Sequence, residues 1–272
     1  MNSTTLLTEI QERVRYSNRE RWFRLVLNGK GASAPRGFFD SYPRFFTTSA
    51  TKAQPDRLNQ RHRALIESNR AIIDGQRVLD IASHDGRWSF AAHKAGARYV
   101  LGIEAREHLV DAARTNMTEY GVPQGQVEFM QGDALADLDR LEAGSFDTVF
   151  CFGFFYHTID HMPLLRKIAR LRPRHLIIDT LISVSPANVV EIKEEKVELE
   201  SNGAVGEPGA PAFSVIGKPS RSALDLMLQA ADFQPPRYYD WLNAGIKRWD
   251  DLEVYYLGHR VSLTAEARVR QA

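Results

Sequence analysis

From residue 77 onward, short apolar blocks alternate with stretches of helical period. Arg77-Val78-Leu79-Asp80-Ile81-Ala82 is a compact apolar run ending in a turn, which predicts a strand buried on both faces. Similar blocks stand at 99–103, 127–130, 146–152 and 176–179. Between them, 88–94, 108–120 and 162–170 read as helices. Gly96 stops the first, Gly121 and Pro123 stop the second, and Pro163 opens the third. Strands and helices alternating at this spacing imply βαβ units and a mostly parallel sheet with helices on both faces. Residues 237–240 and 254–261 supply two last strands, so the expected class is α/β, a doubly wound sheet of seven strands.

Two regions fall outside that alternation. In residues 1–70, Leu6, Leu7, Ile10 and Val14 sit at helical spacing, and 20–27 reads as a helix stopped at Asn28-Gly29. Residues 31–54 are rich in Gly, Pro, Ser and Thr. Phe38, Phe39, Tyr42, Phe45 and Phe46 there need burial, which predicts an ordered loop or lid, and 55–68 reads as a helix. The chain thus divides into a helical N-terminal extension, 1–70, and a main domain, 71–272. Within the latter, 181–219 is an insertion after the fifth strand, a possible substrate arm. Its segments 189–193 and 196–200 are expected to pair, and 201–219 is a long Gly/Pro-rich stretch of the kind that is usually functional. Residues 222–231 read as a helix opened by a Ser222/Asp225 capping box.

Composition narrows the class. Lys and Arg number 35, Asp and Glu 34, and the formal net charge is +1, which argues against a dedicated nucleic-acid binder. Arg13, Arg15, Arg19, Arg21 and Arg24 form a local basic region that keeps RNA in view. Cys151 is the single cysteine, which excludes an intrachain disulfide and a cysteine-based zinc site. No apolar run approaches the roughly 20 residues of a bilayer span. The N-terminus is charged by Glu9 and does not read as a signal peptide. A cytoplasmic protein without a membrane partner is expected, and a homo-oligomer stays open.

The chemistry concentrates at strand ends. Asp80 closes the first strand before a tight turn, 82–86. Glu104 closes the second, where a carboxylate can accept from both hydroxyls of a ribose. Asp133 follows the third, where it can accept from an adenine amine. Ligands of open α/β sheets sit outside these carboxyl ends. Three acids after successive strands form a cradle for adenosine without a phosphate site. The alternative is that each is a turn acid.

On these residues the chain, over about 77–260, resembles the class I S-adenosylmethionine-dependent methyltransferases, which have a Rossmann-like sheet. The family's first motif is an acid followed by alternating glycines. Here the positions are Asp80, Ala82, His84 and Gly86, and only the last glycine is kept. The resemblance implies S-adenosylmethionine as cofactor. It places Asp80 and Gly86 along the methionine part, Glu104 on the ribose and Asp133 near the adenine, with Ala82, His84, Ala134 and Phe152 also at the cofactor site; His84, unusual for the family, either shapes the methionine pocket or covers it. The Asp85 to Phe90 run and Phe155-Tyr156-His157 resemble a subgroup. It includes bacterial tRNA uridine carboxymethyltransferases and actinobacterial sugar O-methyltransferases of the methylmannoside 1-O-methyltransferase type.

That subgroup implies a carbohydrate-like small-molecule acceptor and a place in polysaccharide biosynthesis. A sugar hydroxyl must lose a proton, and His157, where the fourth strand meets the rim, is the expected base. His161 is the second candidate. Asp179, ending the fifth strand, is expected either to orient the histidine or to hold a divalent cation such as Mg2+; a turn acid is the third option. Trp22, Tyr42, Trp241 and Trp249 are sugar-stacking candidates, though packing is the commoner role. The charged run 191–198 reads as a solvated hairpin or a substrate arm. The competing functions are a tRNA-modifying transferase, a methyltransferase of another natural product, and an inactive cofactor-binding module.

Overall fold

The computed structural model describes residues 37–49, 54–197, 212–249 and 251–268. The readings made for 1–36, including Trp22 and the basic region, and for 198–211 lie outside the described residues.

Five parallel strands form the centre: β1 (Arg77–Ile81), β2 (Tyr99–Glu104), β3 (Val127–Gln131), β4 (Thr148–Phe152) and β5 (His175–Leu181). Two further strands, β8 (Arg237–Tyr238) and β9 (Arg260–Glu266), complete a seven-stranded sheet of order β3-β2-β1-β4-β5-β9-β8, with β9 antiparallel to both neighbours. The order reverses between β1 and β4, which opens a crevice at their carboxyl ends.

The side-chain period of two sorts the core into two faces. Leu79, Ile81, Val149, Cys151, Leu176 and Ile178 point to one. Helices α4 (Ala134–Asp137), α5 (His161–Arg170) and α6 (Arg221–Ala230) cover that side through Ala134, Leu164, Leu165, Ile168, Leu224 and Leu228. Val78, Phe150, Phe152 and Ile177 point to the other, under α1 (Pro55–Leu65), α2 (Arg87–Lys94) and α3 (Glu107–Glu119). By the same parity Asp80 follows Val78, and Asp179 follows Ile177, onto the α1 side.

Residues 37–49 pack as two 3-10 turns, Phe38–Ser41 and Pro43–Phe46, with Phe39 and Phe45 fully buried. Phe39 stands edge-on to Trp88 at 5.6 Å, and Phe45 lies against Phe90 at 5.3 Å. The aromatic loop therefore contributes to the core. Tyr42 packs on Phe90 and Tyr120, while Trp241 and Trp249 lie buried in a third cluster with Leu252 and Tyr255. Both tryptophans are thereby buried, and Tyr42 is partly buried.

Three local expectations are corrected. Residues 254–261 are not one strand: α7 (Glu253–Tyr256) precedes β9, because Leu252 and Tyr255 bury one helical face and the Tyr255 ring stacks on Trp241 at 3.8 Å. The inserted hairpin pairs β6 (Val190–Lys196) with β7 (Phe213–Pro219), so 190–193 take 216–219 as partners rather than the expected 196–200. The cap of α6 is Ser220, whose Oγ accepts from the Ala223 N–H, while Asp225 takes the Tyr238 hydroxyl at 2.6 Å. Among the described residues no helix is long and apolar enough to cross a membrane.

Candidate active site

The turn after β1 carries the geometry that glycines usually supply. Ala82 and His84 both have φ 55°, and Gly86 has φ 77° at the N-cap of α2. A non-glycine residue in this region costs about 1–2 kcal/mol. The surrounding contacts hold it there. Asp85 is fully buried; its carboxylate accepts from Arg87 Nε at 2.7 Å and from the Thr48 hydroxyl at 2.7 Å, and Asn116 Nδ2 donates to its carbonyl at 3.0 Å. Burial would raise the Asp85 carboxyl, but Arg87, His84 and Thr48 outweigh it and hold it well below the usual carboxylate range.

Glu104 stitches this turn to the end of β2. Its Oε2 accepts the His84 N–H at 2.9 Å and its Oε1 the Arg106 N–H at 3.0 Å. Close approach of the turn requires Gly102: a Cβ there would stand 2.6 Å from Ser83 Oγ and from the Phe129 ring. Ser83 Oγ and His84 Nε2 are buried without a hydrogen-bond partner. Asp133 caps α4, its Oδ1 accepting from the Ala136 N–H at 2.8 Å, and Ala134 is buried at the start of that helix. Phe152 was expected at the cofactor. Its ring stacks on Phe150 at 4.7 Å and stands edge-on to Trp88 at 5.7 Å.

Asp80 is buried, with the Ser89 hydroxyl donating to Oδ2 at 2.6 Å. Burial pushes its carboxyl up to about 7; Ser89 opposes the rise, and Glu104 and Asp85 add to it. A folded-state value above the unfolded one makes the protein most stable below the unfolded pKa, with stability lost as pH rises toward 7. Asp80→Asn should abolish that slope, a difference on the order of a few kcal/mol across the window. Urea unfolding at pH 4 and pH 8 tests this; equal slopes in both proteins would refute it.

At the rim, His157 ends the 3-10 turn Phe155–His157 that follows β4. Its Nδ1 lies 2.8 Å from Glu195 Oε2 on β6, and its ring packs on Tyr156 at 4.0 Å between centroids. The run 191–198 was read as a solvated hairpin or an arm. Across its described part, Glu195 turns inward, a partner that no local motif signals. His161 has a different place: Nε2 lies 3.0 Å from the Gly217 carbonyl, the ring stacks on Phe155, and burial lowers its pKa. It pins β7 to α5.

The expectation for Asp179 is corrected. Its carboxylate, fully buried, takes Arg61 Nη2 at 2.9 Å, Arg260 Nε at 2.6 Å, the Tyr255 hydroxyl at 2.8 Å and the Ser262 hydroxyl at 2.7 Å. Burial would raise this carboxyl, but Arg260 and Arg61 hold it well below the usual range. Both oxygens are committed to a structural hub, and the group beside His157 is Glu195. Among the described residues no group of three or more His, Cys, Asp or Glu side chains gathers as a metal site.

A family model for a methyltransferase domain matches residues 78–173. The ubiquinone biosynthesis O-methyltransferase of Xanthomonas euvesicatoria is 32% identical over 199 residues, covering 71% of this chain and 79% of that protein. The tRNA U34 carboxymethyltransferase of Pseudomonas aeruginosa is 30% identical over 175 residues, covering 62% of this chain. The chain matches 48% of the length of that relative, about half. Among solved structures, the N-terminal domain of EvdMO1, crystallised in the presence of SAH and D-fucose, superposes with TM-score 0.57 at 19% identity over 95% of this chain and 97% of that one. An S-adenosylmethionine-dependent methyltransferase from Mesorhizobium loti gives TM-score 0.53 at 16% identity, over 74% of this chain and 96% of that one. The chain belongs to the class I S-adenosylmethionine-dependent methyltransferases.

Proposed function

We propose that the protein is an S-adenosylmethionine-dependent O-methyltransferase acting on a hydroxyl of a small polar acceptor, a sugar or short glycoside of the methylmannoside kind. The observation that carries the donor site is the Ala82-His84-Gly86 turn, which keeps three left-handed residues and delivers its His84 N–H to Glu104. A carboxylate offers about four acceptor sites, so Glu104 can serve two backbone N–H groups and still accept both ribose hydroxyls. The unpartnered Ser83 Oγ and His84 Nε2 fit a ligand rich in oxygen and nitrogen. Asp80 and Gly86 lie along the methionine part in this reading, and Asp133 and Ala134 near the adenine.

Bound there, the donor supplies a methyl group already activated on a sulfonium. The protein aligns the acceptor and removes its proton. His157 accepts the hydroxyl proton, a role that contributes typically about 10²–10⁴-fold in rate. A sugar is favoured because its hydroxyls need such a base, and because the near-balance of 35 basic and 34 acidic residues does not favour a polyanionic acceptor. A tRNA acceptor is the second reading, supported by the carboxymethyltransferase relatives.

Glu104→Ala should weaken S-adenosylhomocysteine binding tenfold or more, since a charge-assisted hydrogen bond is worth about 1.5–3 kcal/mol. Titration calorimetry on folded variant checks this, and unchanged affinity would remove the ribose assignment. The acceptor class is tested by labelled methyl transfer to glycosides, phenols and tRNA over a salt series. Transfer to a glycoside that is insensitive to salt is expected. Salt-sensitive transfer to tRNA alone would overturn the sugar reading.

A further inference from the structure

The inserted hairpin inverts the usual burial preference. On β6, Ile192 is 63% exposed while Glu195 is 8% exposed. A glutamate is seldom buried unless something requires it, and an isoleucine left outside is the corresponding sacrifice. Both side chains of the His157–Glu195 pair are 8% exposed, and their separation of 2.8 Å is that of a full hydrogen bond. The pair links residues 38 apart, from a turn of the sheet domain and from the insertion. Lys218, on the paired strand β7, adds positive charge near the carboxylate.

We propose that Glu195 is a positioning residue for His157. By accepting the Nδ1 hydrogen it holds the neutral ring in the tautomer whose lone pair sits on Nε2, and Nε2 is then the atom that takes the proton of the acceptor. This rests on the reading of His157 as the base. The arrangement follows from ring chemistry: a neutral imidazole carries one hydrogen, and the bond made by one nitrogen decides what the other can do. The Tyr156 ring packed on His157 limits rotation, so the carboxylate sets both tautomer and orientation. The hairpin is pinned separately, through His161 and Gly217, so loss of the Glu195 carboxylate leaves the insertion docked. The insertion thereby supplies part of the catalytic apparatus.

The test is long-range nitrogen–proton NMR of the full chain labelled with 15N-histidine, at pH 8, with His157→Gln to assign the signal. The unmodified protein should show His157 as the Nδ1–H tautomer. Glu195→Ala should move the majority to Nε2–H, while Glu195→Gln, whose amide oxygen still accepts, should restore part of the original population. Affinity for S-adenosylhomocysteine should stay within twofold in both variants. On an acceptor found by the transfer screen, kcat of Glu195→Ala should fall roughly tenfold or more at unchanged donor KM, with partial rescue by glutamine. An Nε2–H tautomer or an imidazolium in the unmodified protein, or a tautomer indifferent to Glu195→Ala, would overturn the proposal. If His157→Gln abolishes turnover while Glu195→Ala changes neither tautomer nor kcat, the role of Glu195 falls and the base assignment stands. If His157→Gln keeps turnover, both fall.

Discussion

Asp179→Ala is expected to destabilise the protein by about 3–5 kcal/mol, the usual consequence of removing one partner from a buried charge cluster. The carboxylate is the shared counter-ion of Arg61 and Arg260, and it also takes the Tyr255 and Ser262 hydroxyls. Without it two guanidinium groups stay in the interior with no opposing charge. Arg57 adds to the imbalance, since burial lowers its pKa and both Arg61 and Arg260 repel its charge. A loss of this size consumes much of the roughly 5–15 kcal/mol that holds a domain together. Urea unfolding gives the number, and Asp179→Asn should recover part of it by keeping the hydroxyl contacts. A change below about 1 kcal/mol, or a variant that folds normally and loses only turnover, would return Asp179 to the catalytic role that its place at a strand end suggested.

His157→Ala should lower kcat by about 10²–10⁴-fold while leaving affinity for S-adenosylhomocysteine unchanged, because the lost group acts on the acceptor proton in the transition state. The side chain is buried against Glu195, so the variant also removes this partner of the carboxylate and some loss of stability is expected, which urea unfolding measures apart from turnover. Single-turnover kinetics with labelled donor separates the chemical step from release of product. A kcat within tenfold of the unmodified protein would exclude His157 as the base. His161 does not inherit the role readily, since its Nε2 already serves the Gly217 carbonyl and burial disfavours its charged form.

The central sheet and the acids at its strand ends were legible for a shared reason. Strands covered on both faces must be apolar throughout, so β1, β4 and β5 stand out as blocks wherever they fold. Asp80, Glu104 and Asp133 mark where those blocks meet the crevice. The turn itself was half legible: the sequence lacks two glycines at Ala82 and His84, yet the backbone keeps the left-handed path. What holds it includes Thr48 and Asn116, which reach Asp85 from far along the chain.

The failures share a different cause. The apolar run at 254–256 suits either period, and the ring of Trp241 together with the Asp179 hub selects the helix. The partner strand of β6 lies beyond a long intervening stretch, where pairing depends on how the hairpin docks on His161. The role of Asp179 depends on Arg61, 118 residues earlier, and on Arg260, 81 residues later. Local periodicity encodes which residues leave water, since that is a property of each segment and its neighbours along the chain. It does not encode which buried charges meet, because a carboxylate and its partner are selected by packing across elements and by the desolvation that makes an unmatched charge intolerable. For that reason the α/β sheet, and with it the strand ends where Asp80, Glu104 and Asp133 stand, could be read from residue patterns, whereas the division of labour between Asp179, fixed in a structural hub, and Glu195, set against the histidine, was decided only when the chain packed.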